Sequence, residues 1–343
     1  MVPRFFRSTV FAGLAAAVFA GACAYADPFV CETERARSPY PVSASPFHDH
    51  DRYAPRAASV IEYAAFVSSF DGDDNDNGDG RPDRTAQPEW VAYQLIGVTP
   101  SPDGSYREPD VSIERPRSWY RTDMLSFLWE EGGYRPGLDR SYSGIGARFN
   151  RGHFAMADHA QRISPEASCN THVFTNASPQ AASLNQGPWL HLETYSAALS
   201  NMVGNVWIVT GPIFDEDPIE WIGDPGETPV AIPDAFFKLL VIELPSGRVD
   251  WRAVIYEHPH HQTLDGPVAD GDWTRCNQAQ APYNHSPQLV SLETLEARTG
   301  FSFLESEPTR AVLYFHRHDA LWSVPERFWS GFRCGPSDSE HLQ

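Results

Sequence analysis

The chain has 343 residues, is 41% hydrophobic and carries 10 Trp, 13 Tyr and 20 Phe, which excludes a disordered chain and supplies a sizeable core for one decorated domain or two. A net charge of −19 excludes the broad basic surface of a non-specific nucleic-acid binder and leaves room only for a local positive cleft. Of the 26 basic residues Lys238 is the sole lysine, so the positive charge is nearly all guanidinium, which grips phosphate through two hydrogen bonds; coding bias accounts for most of that excess.

Residues 1–26 read as a signal peptide. Arg4 and Arg7 precede an apolar stretch that ends in Ala24-Tyr25-Ala26, an A-x-A cleavage pattern. A lipoprotein at Cys23 would need a leucine-type residue where Ala20 stands. The expectation is a secreted or periplasmic protein with no membrane partner, since no other apolar run approaches the roughly 18 residues of a span. Cleavage leaves Cys31, Cys169, Cys276 and Cys334, an even count that fits two disulfides in any of three pairings.

Residues 27–60, rich in Pro, Ser and Ala, read as an N-terminal arm tied down through Cys31, ahead of a domain over 61–330 and a tail over 331–343. In "DGDDNDNGDGRPD", Asp73, Asn75 and Asn77 alternate before Gly78, with Asp83 beyond, as at the start of a calcium loop. The bidentate glutamate is missing, because Arg84 stands at its place. A structural Ca²⁺ there is one expectation and a solvated acidic turn the other.

"EWVAYQLIGV" alternates as a strand, "TDMLSFLWEE" suggests a short helix, and "THVFTN" a short strand. A helix is expected over about 185–201, with Pro188 in its first turn. "NVWIVTGPIF" reads as a buried strand stopped by Gly211-Pro212. "AFFKLLVIEL" and "VDWRAVIYEH" read as a hairpin turning at "PSGR", "SLETLEART" as a helix ended by Gly300, and "RAVLYFHRH" as a last strand. No βαβ rhythm links these elements, so the fold class is α+β, with a mixed or antiparallel central sheet and flanking helices.

The stretch "FNRGHFAMADH" carries the chemistry. His153, Asp158 and His159 suggest a metal cluster; alternatively His153 is a general base, with Asp158 and His159 ordinary loop or surface residues. Downstream, Asn185 and Glu193 are eight residues apart, about 80° of helical rotation, so both can face one side. The histidines of "EHPHH" and "FHRH" match no ordered zinc spacing.

"NRGH", "TNASPQ", "LNQGPWLHLE", "VWIVTGPIF" and "IPDAFFKLLV", in this order from about Glu89 to Leu304, resemble the DNA/RNA non-specific endonucleases of the ββα-metal (His-Me finger) class, which includes secreted bacterial sugar-nonspecific nucleases and endonuclease G. The resemblance implies an Mg²⁺-dependent endonuclease, with Mn²⁺ as a substitute, acting on DNA and RNA and leaving 5′-phosphate and 3′-hydroxyl ends. By position it implies His153 as general base, Asn185 as the protein ligand of the metal, Glu193 holding a metal-bound water, Arg151 facing the phosphate and Asn176 supporting the site. It also implies a further arginine from "RSWYRTD", Arg117. This chain departs from the family at Asn150, where Asp is usual, and at Ala197, where some members carry a basic residue. The resemblance favours Cys276–Cys334, which leaves Cys31–Cys169. Two rivals use the same residues: a same-fold phosphodiesterase acting on smaller substrates, and an inactive calcium-loop binding module.

Overall fold

The computed structural model describes residues 27–32, 39–43, 46–57, 60–70, 85–120, 138–145, 148–215, 220–259, 275–276 and 283–330. The expected signal segment, the acidic loop with Asp73, Asn75, Asn77 and Asp83, the "TDMLSFLWEE" helix, Cys334 and the tail lie outside these residues.

In chain order the strands are β1 (Phe29–Val30), β2 (Ile61–Glu62), β3 (Val67–Phe70), β4 (Pro88–Ile96), β5 (Ile113–Glu114), β6 (Phe149–His153), β7 (Ala177–Ala181), β8 (Asn205–Ile213), β9 (Trp221–Ile222), β10 (Val230–Ala231), β11 (Ala235–Glu243), β12 (Val249–Glu257) and β13 (Leu289–Val290). The helices are α1 (Leu138–Ser141), α2 (Ala157–Gln161), α3 (Pro165–Asn170), α4 (Ala182–Leu184), α5 (Leu190–Val203), α6 (Leu292–Thr299) and α7 (Arg310–Leu313). Seven strands form one antiparallel sheet in the order β13-β12-β11-β8-β4-β3-β2, so the α+β expectation holds.

The central strands are apolar on both sides because both faces of the sheet are covered. Phe236, Leu240 and Ile242 of β11 join the core beneath α5, while Phe237, Leu239 and Val241 join the core beneath α6. Alternation along a strand sends successive side chains to opposite faces, and this sorts them. The β11–β12 hairpin turns where expected: the Leu244 N–H donates to the Arg248 carbonyl at 2.8 Å, and Gly247 takes φ 77°, which suits glycine. The α6 helix is also as read, with Ser291 Oγ accepting from the Thr294 N–H at 3.1 Å and Gly300 left-handed at φ 71°.

Four expectations differ. "THVFTN" forms a tight turn over Phe174–Asn176, and its strand, β7, begins only at Ala177. Pro212 does not stop β8, which runs on to Ile213; beyond the last pair with β4, Val91–Thr210, the strand is an edge on that side, where proline is tolerated. "RAVLYFHRH" gives the short helix α7; Val312 and Phe315 stay exposed, and the sheet already ends at β13. The helix expected from Asn185 starts at Leu190, preceded by a wide turn over Asn185–Trp189 in which Gly187 leaves helical geometry. Pro188 lacks the N–H that a regular turn would use.

The arm is tied down as expected. β1 pairs in parallel with β5, and Cys31 is bonded to Cys169 at the end of α3. Cys276 is also disulfide-bonded. Among the described residues no helix is long and apolar enough to cross a membrane.

Candidate active site

The β6–β7 hairpin and the helix after it build the site as a ββα unit packed on one face of the sheet. His153 on β6 lies opposite Ala177 on β7, and Gly152 lies opposite Ser178. A Cβ at position 152 would sit 2.5 Å from Gln180 Oε1 and 2.8 Å from Gln180 Cβ, so glycine beside the histidine is a steric need of the hairpin. Asn176 fastens the hairpin to the helical segment behind it. Its Oδ1 accepts from the Ala155 N–H at 2.7 Å, and its Nδ2 donates to the carbonyls of Ala155 and Thr171, each at 2.9 Å. Asn176 is fully buried, so it supports the site from behind.

A cleft of about 670 Å³ opens over this unit. Arg151, His153, Asn185 and Glu193 all line it, so the structure brings together four of the residues singled out from the sequence. The wide turn at Asn185 is what aims that residue and Glu193 into one space. Asn150 lines the cleft too. The remaining expected arginine differs. Arg117 is exposed and outside the lining, whereas Arg115, two residues earlier and directly after β5, lines the cleft.

His153 packs against Trp119, ring centroids 4.7 Å apart, and meets His172 edge-on at 4.8 Å. Its Nε2 is buried without a partner, which leaves Nδ1 as the nitrogen open to the cleft. Burial holds the His153 pKa well below the usual 6.5, and the nearby His172 and the Arg115 charge push the same way. The imidazole is therefore neutral at neutral pH. Arg151 donates to the Tyr142 carbonyl at 3.3 Å and lies 6.0 Å from the Trp119 ring.

Glu193 is 6% exposed and its Oε1 lies 3.7 Å from Nζ of Lys238, which is fully enclosed on β11. Burial raises the Glu193 pKa and the Lys238 charge opposes the rise; burial lowers the Lys238 pKa and Glu193 opposes that. His159 is not a surface residue as expected. It is buried in α2 with its Nε2 donating to the Glu193 carbonyl at 3.1 Å and its Nδ1 3.2 Å from the Tyr93 hydroxyl, so it holds α5 to β4. Asp158 is exposed, and His153, Asp158 and His159 form no metal cluster.

The donor set tests which metal fits. Among the described residues no group of three His, Cys, Asp or Glu is placed to hold an ion. One amide oxygen at Asn185 with a carboxylate at Glu193 fits Mg²⁺, which keeps most of its waters and needs few protein ligands.

Sequence reading missed Arg115, Trp119, His172 and Lys238. Only Lys238 left a signal: a single lysine inside the apolar run "AFFKLLVIEL". The others come from loops whose approach to the cleft is set by distant contacts, such as the Tyr120 N–H donating to the His172 carbonyl at 2.7 Å.

The profile of the DNA/RNA non-specific endonucleases matches residues 54–310. The chain is 32% identical over 178 residues to human "Endonuclease G, mitochondrial", covering 50% of this chain and 54% of that protein. The bovine protein of the same name is 30% identical over 184 residues, with 52% and 54% covered. "Mitochondrial nuclease" of Saccharomyces cerevisiae is 30% identical over 174 residues, with 47% of each covered. The chain thus spans about half the length of these curated relatives. Their names overturn the expected secreted or periplasmic location, for these relatives are mitochondrial nucleases.

Proposed function

The chain belongs to the DNA/RNA non-specific endonuclease family, and from that footing we propose that it is a divalent-metal-dependent nuclease that hydrolyses DNA and RNA phosphodiester bonds without sequence preference. The observation that carries the proposal is the convergence of His153, Arg151, Asn185 and Glu193 on one cleft.

Neutral His153 takes a proton from a water at Nδ1, while its Nε2 keeps the other proton in the buried pocket behind it. Trp119 and His172 fix the ring from two sides, so the nitrogen does not have to be oriented at each turnover. Arg151 and Arg115 neutralise the phosphate oxygens from the cleft wall. In taking this role Arg115 replaces Arg117. A bound phosphate offsets the Arg115 charge that depresses the His153 pKa, and so makes the base stronger once substrate is in place. Asn185 would hold Mg²⁺ (or Mn²⁺) directly and Glu193 would hold one of its waters. When bound, the ion supplies Lewis-acid stabilisation of charge at the phosphate and at the leaving 3′ oxygen. The ends are then 5′-phosphate and 3′-hydroxyl. Contacts made to phosphate and sugar carry no base code, which accounts for the lack of sequence preference.

Plasmid nicking tests this reading. The expected result is cleavage of DNA and of RNA with Mg²⁺, none with EDTA, and a loss of about 10²–10⁴-fold in His153→Ala. Hydrolysis of small diesters with both polymers left intact would instead mean a phosphodiesterase. Undiminished activity in His153→Ala would remove the base from the mechanism.

A further inference from the structure

Lys238 is out of place by every criterion of folding. It is the only lysine in the chain and stands in the centre of β11, between β12 and β8, fully enclosed. Its neighbours on the same face, Phe236 and Leu240, are core residues. Lysine is disfavoured in strands, and a buried ion pair contributes no more to stability than apolar side chains of the same volume. Among the described residues the ammonium has no partner at ordinary hydrogen-bond distance. It lies 4.1 Å over the Trp189 ring and 3.7 Å from Glu193 Oε1. Trp189 closes the turn that begins at Asn185, and Glu193 is on the first turn of α5, so Lys238 touches the junction between that turn and the helix and the expected metal-site carboxylate itself.

The choice of cation is informative as well. All the other basic residues of this chain are arginine. A guanidinium is larger and planar, and would overpack a slot with no exposed surface; an ammonium is a compact point charge. A chain that uses arginine elsewhere retains lysine where only a point charge fits.

We propose that Lys238 is the positioning residue of the site: its ammonium, seated on the Trp189 ring, holds the Glu193 carboxylate at the cleft wall, and arginine cannot replace it. The proposal rests on the role given to Glu193 above.

The test uses the full chain as wild type, Lys238→Arg, Glu193→Gln and Lys238→Met/Glu193→Gln. The double variant leaves no unpaired buried charge, so it answers even if a single change at Lys238 prevents folding. The readouts are Mn²⁺ binding by calorimetry without substrate, plasmid-nicking kcat and KM, and melting temperature. The expected result is that Lys238→Arg weakens Mn²⁺ binding and lowers kcat by about 10–100-fold, the range for residues that orient metal-site groups, with KM for plasmid little changed. The double variant should match Glu193→Gln within about twofold in both readouts, because Lys238 acts only through Glu193. A purely structural role would lower the melting temperature without moving Mn²⁺ affinity. Mn²⁺ affinity and kcat of Lys238→Arg within twofold of wild type would overturn the proposal. So would a double variant about tenfold worse than Glu193→Gln. If Glu193→Gln itself binds Mn²⁺ and nicks like wild type, the role of Glu193 fails, and the proposal falls with it.

Discussion

Replacing Asn176 tests how the β6–β7 hairpin that carries His153 is held. The side chain serves three buried backbone groups: the Ala155 N–H and the carbonyls of Ala155 and Thr171. At 0% exposure, water cannot take its place. A buried polar group stripped of its partner costs about 1–3 kcal/mol, so Asn176→Ala loses at least ~3 kcal/mol. For a chain of 343 residues, with an unfolding entropy of about 2.1 cal/mol/K per residue, that lowers the melting temperature by about 4 °C. Asn176→Asp separates hydrogen bonding from volume. It keeps an acceptor for the Ala155 N–H but turns an oxygen toward two carbonyls that need donors, so it should melt at least as low as the alanine variant. Ala155 is two residues from His153, and a displacement of about 1 Å at a catalytic group costs on the order of 10²-fold in rate. Thermal melts by circular dichroism and plasmid nicking below the transition are the assays. An aspartate variant that melts within 2 °C of wild type would refute the reasoning, since no arrangement of those three groups satisfies a carboxylate.

Other outcomes follow from the same structure. Gly152→Ala forces β6 away from Gln180; it should cost about 1–3 kcal/mol in a melt and at least ~10-fold in nicking rate, and a variant equal to wild type in both would show that the hairpin yields freely. His50, His172 and His191 have folded pKa values pushed down to about 4, and His285 to about 3, mainly by burial, against a usual 6.5. The unfolded chain therefore takes up protons below pH 6.5 that the folded chain refuses, so stability is full above pH 6.5 and falls progressively toward pH 4; a melting temperature flat across that range would contradict the burial of these rings. Calcium should raise the melting temperature of wild type and not of Asp73→Ala, and equal shifts would reduce the acidic loop to a solvated turn.

Much of the sheet was legible because its signals are local. β4, β11 and β12 are long apolar or alternating runs, and Ser291 and Gly300 mark α6 at both ends. The misread segments are those where a non-local contact decides the outcome. Nothing in "RAVLYFHRH" shows that the sheet ends at β13 without it, and nothing in "THVFTN" shows that Asn176 is spent bracing Ala155 and Thr171 rather than continuing a strand. The same division runs through the site. His153, Asn185 and Glu193 stand in one short ordered set of motifs, whereas Arg115 and His172 reach the cleft through pairings with segments far away in sequence.

Those distant pairings have a common origin in the N-terminal arm. Phe29 and Val30 pair with Ile113 and Glu114, and the next residue is Arg115 on one wall of the cleft. Cys31, one residue past β1, is bonded to Cys169, whose carbonyl accepts from Nδ1 of His172 at 3.2 Å, and His172 in turn meets the His153 ring. Two neighbouring points on the arm thus fix Arg115 on the cleft wall and the His172 ring against His153, the arginine and the base of the proposed mechanism. This matters more in an acidic chain than in a basic one. With a net charge of −19 the surface as a whole repels a polyanion, and beyond a Debye length of about 8 Å at physiological salt it neither helps nor hinders. Attraction must come from guanidiniums close to the phosphate, and close-range attraction depends on where each side chain is held. The arm, which carries none of the residues read as catalytic, is therefore part of what places positive charge in the cleft, where the proposed function requires it.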